Sequence, residues 1–203
     1  MELLLVRHGL PVRIEDAGEP ADPELSDEGR IQAVALAEWL AAERLDAVYT
    51  SPLRRAVQTA EPVAARHGLE LVVDDELAEF DREAHFYIPV EELKATRDPR
   101  WLDLIEGRWG QDGEVDRFVF RRVVVEAVER VIDANPSRTI AVVCHGGVIN
   151  AYLSHVLGLD EVMFFEPYYT SVSRLMAARS GPRQIASLNE TGHLRTTTLG
   201  AHS

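Results

Sequence analysis

Two histidine-containing strings carry residue types that suit chemistry on a phosphate group. The first is VRHG at residues 6–9, and the second is VCHGG at residues 143–147. A neutral imidazole such as that of His8 is a competent nucleophile toward phosphorus. The planar guanidinium of Arg7 matches the geometry of phosphate oxygens, and Gly9 is expected to let the backbone approach a bulky anion closely. The first string therefore predicts a nucleophile beside an anion-binding arginine.

The second string places a histidine at the start of a helical pattern. Gly146 and Gly147 follow His145, and a helix N-terminus binds anions through its free N–H groups and its dipole. A charged His145 at this point would donate a hydrogen bond to a phosphoryl oxygen. A glycine-rich turn with a structural histidine is an equally good interpretation of this string taken alone.

A third string, TSPLRRAVQTA at residues 50–60, also follows a strand pattern and begins a helix. Either Arg54 or Arg55 could therefore point back over the end of the sheet. An arginine in a first helical turn is usually solvated, but the position of this turn near two other strand ends favours a functional role.

Continuous apolar runs precede both histidines, LLLV at residues 3–6 and IAVV at residues 140–143. Such runs are typical of strands that are buried on both faces of a parallel sheet. Ligands bind beyond the carboxyl ends of the strands in these sheets, which is where His8 and His145 would lie.

The alternation of strands and helices predicts an α/β fold, a three-layer α/β/α sandwich around a mostly parallel sheet. Ser26 is a natural N-cap for the first helix, and Pro52 suits the first position of the second helix. Strands are predicted at residues 2–6, 46–50, 69–73, 139–144, 172–177 and 184–187, and helices from Ser26 to 40 and at 52–66, 90–96, 100–105, 114–133 and 147–156.

The periodic pattern loosens between residues 81 and about 113, where charges and aromatic residues are scattered. We expect one domain over residues 1–203, with a cap-like insertion at about 81–113 over the C-terminal strand ends. Residues 196–203 are expected to form a loose tail.

Composition restricts the classes of partner. The chain has 203 residues, of which 46% are hydrophobic, and 21 Lys and Arg against 34 Asp and Glu give a formal net charge of −13. Such a surface disfavours nucleic acid and anionic membranes as partners. Cys144 is the only cysteine, which excludes an intrachain disulfide and a multi-cysteine metal site. Without a signal-like segment or an apolar run of membrane-spanning length, a cytoplasmic protein is expected.

Five ordered motifs together resemble the histidine phosphatase superfamily, in its phosphoglycerate mutase-like branch. The resemblance implies that His8 is a nucleophile that becomes a phosphohistidine. It also implies that Glu79 protonates the leaving oxygen and then activates the attacking water. The phosphate pocket implied by the family comprises Arg7, Arg55, His145 and the backbone N–H of Gly146. The motifs are RHG at residues 7–9, LSxxGxxQA at 25–33, SPLxRAxxTA at 51–60, LxE at 77–79 and HGG at 145–147.

The chain departs from the family pattern after Gly9. Leu10, Pro11 and Ile14 replace an acidic or amide residue, a small hydroxyl residue and a phosphate-contacting asparagine. Either Arg13 or a group from the insertion substitutes for the asparagine, or the pocket is looser. Downstream, Tyr169 stands where an asparagine is usual.

The sequence favours a phosphomonoester hydrolase that acts on a small phosphorylated metabolite. Two arginines and an imidazolium can stabilise the transferring phosphoryl group, so neither a metal nor a cofactor is expected. Mutase-type transfer is the first alternative, but FDRE at residues 80–83 replaces the Arg-x-Tyr-Gly of the mutase branch. A non-catalytic sensor of phosphorylated ligands is the second alternative. Arginines near Glu79 should keep this carboxyl ionised until a phosphate dianion binds.

The insertion supplies candidate substrate contacts, although its aromatic residues could instead pack it onto the domain. The apolar stretch at residues 163–165 could be core or the interface of a homodimer. The candidate contacts are Arg82, His85, Tyr87 and Arg108.

Overall fold

A six-stranded sheet with helices on both faces forms the body of the protein. The computed structural model describes residues 1–106, 116–179 and 181–197. The strands are β1 (Glu2–Arg7), β2 (Ala47–Thr50), β3 (Leu71–Val73), β4 (Thr139–Cys144), β5 (Val172–Ala177) and β6 (Arg183–Glu190). The helices are α1 (Asp27–Leu40), α2 (Arg54–His67), α3 (Val90–Thr96), α4 (Pro99–Ile105), α5 (Arg117–Ala134), α6 (Gly146–Leu157) and α7 (Leu194–Thr197).

The strand order is β3-β2-β4-β1-β5-β6, and β5 is antiparallel to both of its neighbours. The other neighbouring pairs are parallel, which confirms the predicted mostly parallel sheet. Arg7 pairs with Cys144, and Thr50 pairs with Val143. The carboxyl ends of β2, β4 and β1 therefore meet at one edge of the sheet.

The buried side chains of β1 alternate between two apolar layers. Leu3 and Leu5 pack with residues of α5 and α6, whereas Leu4 and Val6 pack with residues of α1 and α2. This alternation follows from the two-residue period of a strand. It produces the predicted three-layer sandwich.

The helix starts agree in part with prediction. Ser26 caps α1, since its hydroxyl accepts a hydrogen bond from the Gly29 N–H. The expectation that Pro52 opens α2 was wrong, because α2 begins at Arg54. Leu53 is extended, and the Arg54 N–H donates instead to Asp22.

Several other boundaries differ from the predictions by one to three residues, and three of them have consequences for the described structure. Helix α5 begins after Asp116, whose carboxylate accepts from two backbone N–H groups of the first turn; residues 114 and 115 lie outside the described ones. Strand β6 continues to Glu190, three residues beyond its predicted end. Helix α7 includes the first two residues of the predicted tail.

The two short helices predicted within the insertion are present as α3 and α4. A two-residue antiparallel bridge between Ile14 and Tyr87 ties this segment to the loop after β1. Lys94 of α3 pairs with Glu166. Among the described helices, none is both long and apolar enough to cross a lipid bilayer.

Candidate active site

Three neighbouring strand ends bring two histidines and two arginines together. Arg7 is the last residue of β1, His8 follows it, and His145 follows β4 directly. Arg55 lies in the first turn of α2, after β2. The ring centroids of His8 and His145 are 5.1 Å apart.

A cavity of about 350 Å³ opens at this edge of the sheet. It is lined by Arg7, His8, Arg55, Glu79 and Gly146, five of the residues singled out from the sequence. His145, the remaining residue of the site implied by the family resemblance, is completely buried beside His8.

The His8 imidazole is held with one nitrogen ready to react. Nδ1 lies 2.7 Å from the Gly9 carbonyl oxygen, and a carbonyl only accepts, so the proton is on Nδ1. The lone pair is therefore on Nε2. Burial, with added repulsion from Arg55 and Arg7, holds the pKa of His8 well below its usual value. The ring is neutral at neutral pH.

His145 is held by a hydroxyl group. Its Nε2 is 2.7 Å from Ser51 Oγ. Burial, and then the charges of Arg55 and Arg7, lower the pKa of His145 well below its usual value. The expectation of a charged His145 was therefore wrong for the protein by itself, because burial beside two arginines outweighs the helix geometry.

Three buried nitrogens at this site have no hydrogen-bond partner among the described residues. They are Arg7 Nε, Arg55 Nε and His145 Nδ1, one from each strand end. An unpaired buried polar group costs about 1–3 kcal/mol, so native proteins retain such groups mainly for a role. Two of the three belong to cations, and the arrangement fits an anion.

Each site arginine lies against a tyrosine ring. The Arg7 guanidinium carbon is 3.8 Å from the centre of the Tyr169 ring, and that of Arg55 is 4.7 Å from the Tyr87 ring. Arg7 Nη1 also donates to the Pro167 carbonyl over 2.6 Å. Tyr169, which departs from the family pattern, thus supports Arg7. No pattern in the sequence predicted this contact.

Glu79 is 8% exposed and is fixed by two backbone donors. Its Oε2 accepts from the Gly147 N–H over 2.8 Å, and its Oε1 accepts from the Phe80 N–H over 3.1 Å. Burial and the nearby charge of Asp81 nevertheless raise the pKa of Glu79 to about 7. The expectation that arginines keep this carboxyl ionised was wrong, because burial outweighs the attraction of Arg55.

Close packing accounts for two of the motif glycines. A Cβ at Gly147 would lie 2.1 Å from Glu79 Oε1, whereas one at Gly146 would meet nothing nearer than 3.9 Å. A Cβ at Gly9 would lie 2.7 Å from the Gly29 carbonyl oxygen. Gly9 therefore serves the contact between the β1 loop and α1, which differs from its expected role beside an anion.

The substrate contacts expected from the sequence are only partly brought together. Tyr87 lines the cavity, and Arg108 lies outside the described residues. Arg13 is absent from the described lining because it pairs with Glu15 and Glu92 at the surface. Two further candidates, Arg82 and His85, are exposed and outside this lining.

Two other sequence expectations can be compared with the structure. Arg55 is 1% exposed, while Arg54 is exposed and pairs with Glu24, so Arg55 is the arginine that faces the site. Met163, Phe164 and Phe165 line the cavity and pack partly against the core. Among the described residues, no group of three or more His, Cys, Asp or Glu is placed to hold a metal ion.

Comparison with known families and proteins gives consistent matches. The family model of the histidine phosphatase superfamily (branch 1) matches residues 3–191. Phosphoserine phosphatase 1 of Hydrogenobacter thermophilus is 32% identical, with 100% of this chain and 98% of the relative aligned. Glucosyl-3-phosphoglycerate phosphatase of Mycolicibacterium vanbaalenii is 33% identical over 77% of this chain and 74% of its own length.

Solved structures share the fold. A mycobacterial glucosyl-3-phosphoglycerate phosphatase in complex with VO3 superimposes with a TM-score of 0.77 at 25% identity, covering 94% of this chain and 99% of the other. An Entamoeba histolytica phosphoserine phosphatase mutant with phosphoserine gives a TM-score of 0.76 at 23% identity, covering 95% and 98%. At that identity the second match supports the fold alone.

Proposed function

This chain belongs to the histidine phosphatase superfamily, branch 1, and we propose that it is a metal-independent phosphomonoester hydrolase that works through a phosphohistidine on His8. One observation carries the proposal: His8, whose Nε2 keeps a free lone pair, lines one cavity together with Arg7 and Arg55. A phosphate group in this cavity would lie against both guanidinium groups while its phosphorus faces the lone pair.

In the first step, the Nε2 lone pair of His8 attacks phosphorus and forms the N–P bond. The bond between phosphorus and the ester oxygen breaks, and that oxygen takes the proton from Glu79. Arg7 and Arg55 stabilise the negative charge on the transferring group. The Ser51 hydroxyl, 2.7 Å from His145 Nε2, donates to that nitrogen, which leaves the N–H on Nδ1 to donate to a phosphoryl oxygen.

In the second step, the Glu79 carboxylate takes a proton from water as the water oxygen attacks phosphorus. The N–P bond breaks, its electron pair returns to His8, and inorganic phosphate leaves. Glu79 is then protonated again and ready for the next cycle. Its pKa of about 7 allows both forms near neutral pH.

The substrate is a small phosphorylated molecule. Support comes from relatives whose names specify phosphoserine and glucosyl-3-phosphoglycerate, and from the cavity size of about 350 Å³. We propose that residues 1–203 form one domain and that residues 81–113 act as its cap. Tyr87 and the helices α3 and α4 of this segment contribute to the cavity.

The alternatives predict different products. A mutase would return the phosphoryl group to a second hydroxyl of the substrate, and a sensor would bind phosphate without turnover. A buried acid whose pKa lies near neutrality favours turnover over sensing.

The test is release of p-nitrophenol from p-nitrophenyl phosphate in the presence of EDTA. We expect activity in the parent and its loss in His8→Ala, with His155→Ala as a matched control because His155 is exposed. Activity that survives in His8→Ala would remove the covalent mechanism. Phosphate binding without hydrolysis in the parent would favour the sensor.

Three further expectations belong to this proposal. We propose a cytoplasmic location, a homodimer as one assembly state, and no nucleic-acid or membrane partner. Cell fractionation, sedimentation velocity and vesicle flotation would test them separately.

A further inference from the structure

The cavity has an apolar side next to the phosphate-binding groups. Helices α3 and α4 contribute to this side, and so do the residues that follow Glu79 and those that precede β5. All of its members are partly buried and line the cavity. This apolar wall comprises Phe80, Leu93, Trp101, Leu104, Met163 and Phe164.

Charged groups in the described lining are distributed unevenly. Arg7 and Arg55 are its only cationic residues, and both belong to the phosphate pocket. The remaining ionisable side chains there include the carboxyls of Asp81 and Glu166. Glu166 is paired with Lys94 over 2.8 Å. Asp81 lies 3.5 Å from Arg55, so both of these carboxyls already have a cationic partner. A carboxylate on the leaving group would find no unpaired cation among the described lining residues.

We infer that the alcohol released by this phosphatase is apolar and uncharged, of alkyl or aryl type, and carries no carboxylate. The inference rests on the proposed function, since it concerns the leaving group of the same reaction. The inferred substrate preference differs from the substrates that the names of two relatives specify, phosphoserine and glucosyl-3-phosphoglycerate. Burying the alcohol against the apolar wall supplies binding energy that a carboxylated alcohol lacks.

The first experiment compares ethyl, butyl and hexyl phosphate with phosphoserine and 3-phosphoglycerate. The three alkyl alcohols have nearly the same acidity, so differences in kcat/KM among them report binding of the chain and not leaving-group chemistry. A fully buried methylene is worth up to about fourfold, and we expect hexyl phosphate to exceed ethyl phosphate by about thirtyfold or more. Both carboxylated substrates should fall below ethyl phosphate.

Substitutions at Leu93 test whether the apolar wall causes this substrate preference. Leu93→Ala should lower the hexyl-to-ethyl ratio of kcat/KM about threefold or more, whereas Leu157→Ala, the same change at an exposed site on α6, should leave the ratio unchanged. Leu93→Arg should raise kcat/KM for 3-phosphoglycerate relative to hexyl phosphate. The substrate series on the parent needs no variant and remains decisive if a variant fails to fold.

The outcomes separate the two proposals. Hydrolysis of p-nitrophenyl phosphate that depends on His8, together with a hexyl-to-ethyl ratio near one and faster turnover of phosphoserine, would overturn this inference alone. Absence of His8-dependent hydrolysis with every substrate would overturn the proposed function itself.

Discussion

Glu79 shows how one side chain can be fixed and protonated at once. Two backbone N–H groups orient its oxygens, while burial and Asp81 raise its pKa to about 7. His8 lines the same cavity, and burial lowers its pKa. Low dielectric surroundings favour the neutral form of both groups, which is an acid in one case and a nucleophile in the other.

We predict that Glu79→Gln separates substrates by their leaving groups. For hexyl phosphate, kcat/KM should fall on the order of a thousandfold, because general acid catalysis contributes about 10²–10⁴. For p-nitrophenyl phosphate the loss should be much smaller, since p-nitrophenolate leaves without a proton. Initial rates over a range of pH measure both effects.

The pH dependence of kcat/KM tests the same acid role of Glu79. In the parent, kcat/KM for the alkyl ester should decline above about pH 7, because ionised Glu79 cannot donate a proton. The decline should be absent in Glu79→Gln and retained in Glu83→Gln, whose side chain is exposed. Equal losses on the two substrates would contradict the acid role.

At this scale the sequence identified side chains better than their contacts. The strings around His8 and His145 predicted which residues approach the sheet edge, because strand ends are local features. Contacts such as Tyr169 under Arg7 join residues far apart in the chain, and a single sequence contains no information on that distance. Arg13 was misplaced for the same reason, since its partner Glu92 comes from another segment.

Among the elements, the start of α6 is the one that organises the acid. Its Gly147 N–H holds Glu79, and the glycine has no room for a Cβ on that side. The neighbouring Gly146 has ample room. A Cβ therefore has no room at position 147 but has room at position 146, so the two adjacent glycines form a matched pair for substitution.

We predict that Gly147→Ala lowers kcat/KM for hexyl phosphate about a hundredfold or more, because the new methyl group displaces the Glu79 carboxylate. Gly146→Ala should lower kcat/KM much less, since the nearest atom to its Cβ would be Arg7 Nε at 3.9 Å. Steady-state kinetics and circular dichroism of both variants make the comparison. Equal losses in the two variants would contradict the steric argument.

Element boundaries followed local chemistry where a cap was visible in the sequence. Ser26 satisfied the Gly29 N–H as a cap should, so the start of α1 was predictable. Pro52 misled because the Ser51 and Asp22 side chains satisfy the backbone N–H groups of Leu53 and Arg54. That arrangement involves a residue 32 positions away, and no local pattern reveals it.

The buried ionisable groups of the site make the stability of the whole protein depend on pH. The folded pKa of Glu79 lies above its unfolded value of 4.5, so the folded state binds more protons between these values. Its contribution to stability therefore decreases as pH rises from about 4.5 through about 7. The lowered pKa values of His8 and His145 have the opposite effect, because they decrease the stability of the fold as pH falls below about 6.5.

We predict that Glu79→Gln gains stability relative to the parent as pH rises. The difference in unfolding free energy should shift by about 2 kcal/mol in favour of the variant between pH 5.5 and 8. Effects of the two histidines are common to both proteins and cancel in this difference. Urea unfolding at the two pH values measures it, with Glu83→Gln as the control, and a difference independent of pH would contradict the raised pKa.

The most direct measurement for the whole account is capture of the covalent intermediate. A radiolabelled phosphomonoester is mixed with the enzyme, quenched in alkali within milliseconds, and the labelled peptide is identified by mass spectrometry. We predict one alkali-stable, acid-labile phosphoryl group on His8, formed and consumed at rates consistent with turnover and absent in His8→Ala. A phosphoryl group on another residue, or turnover with no adduct at any time, would contradict the account.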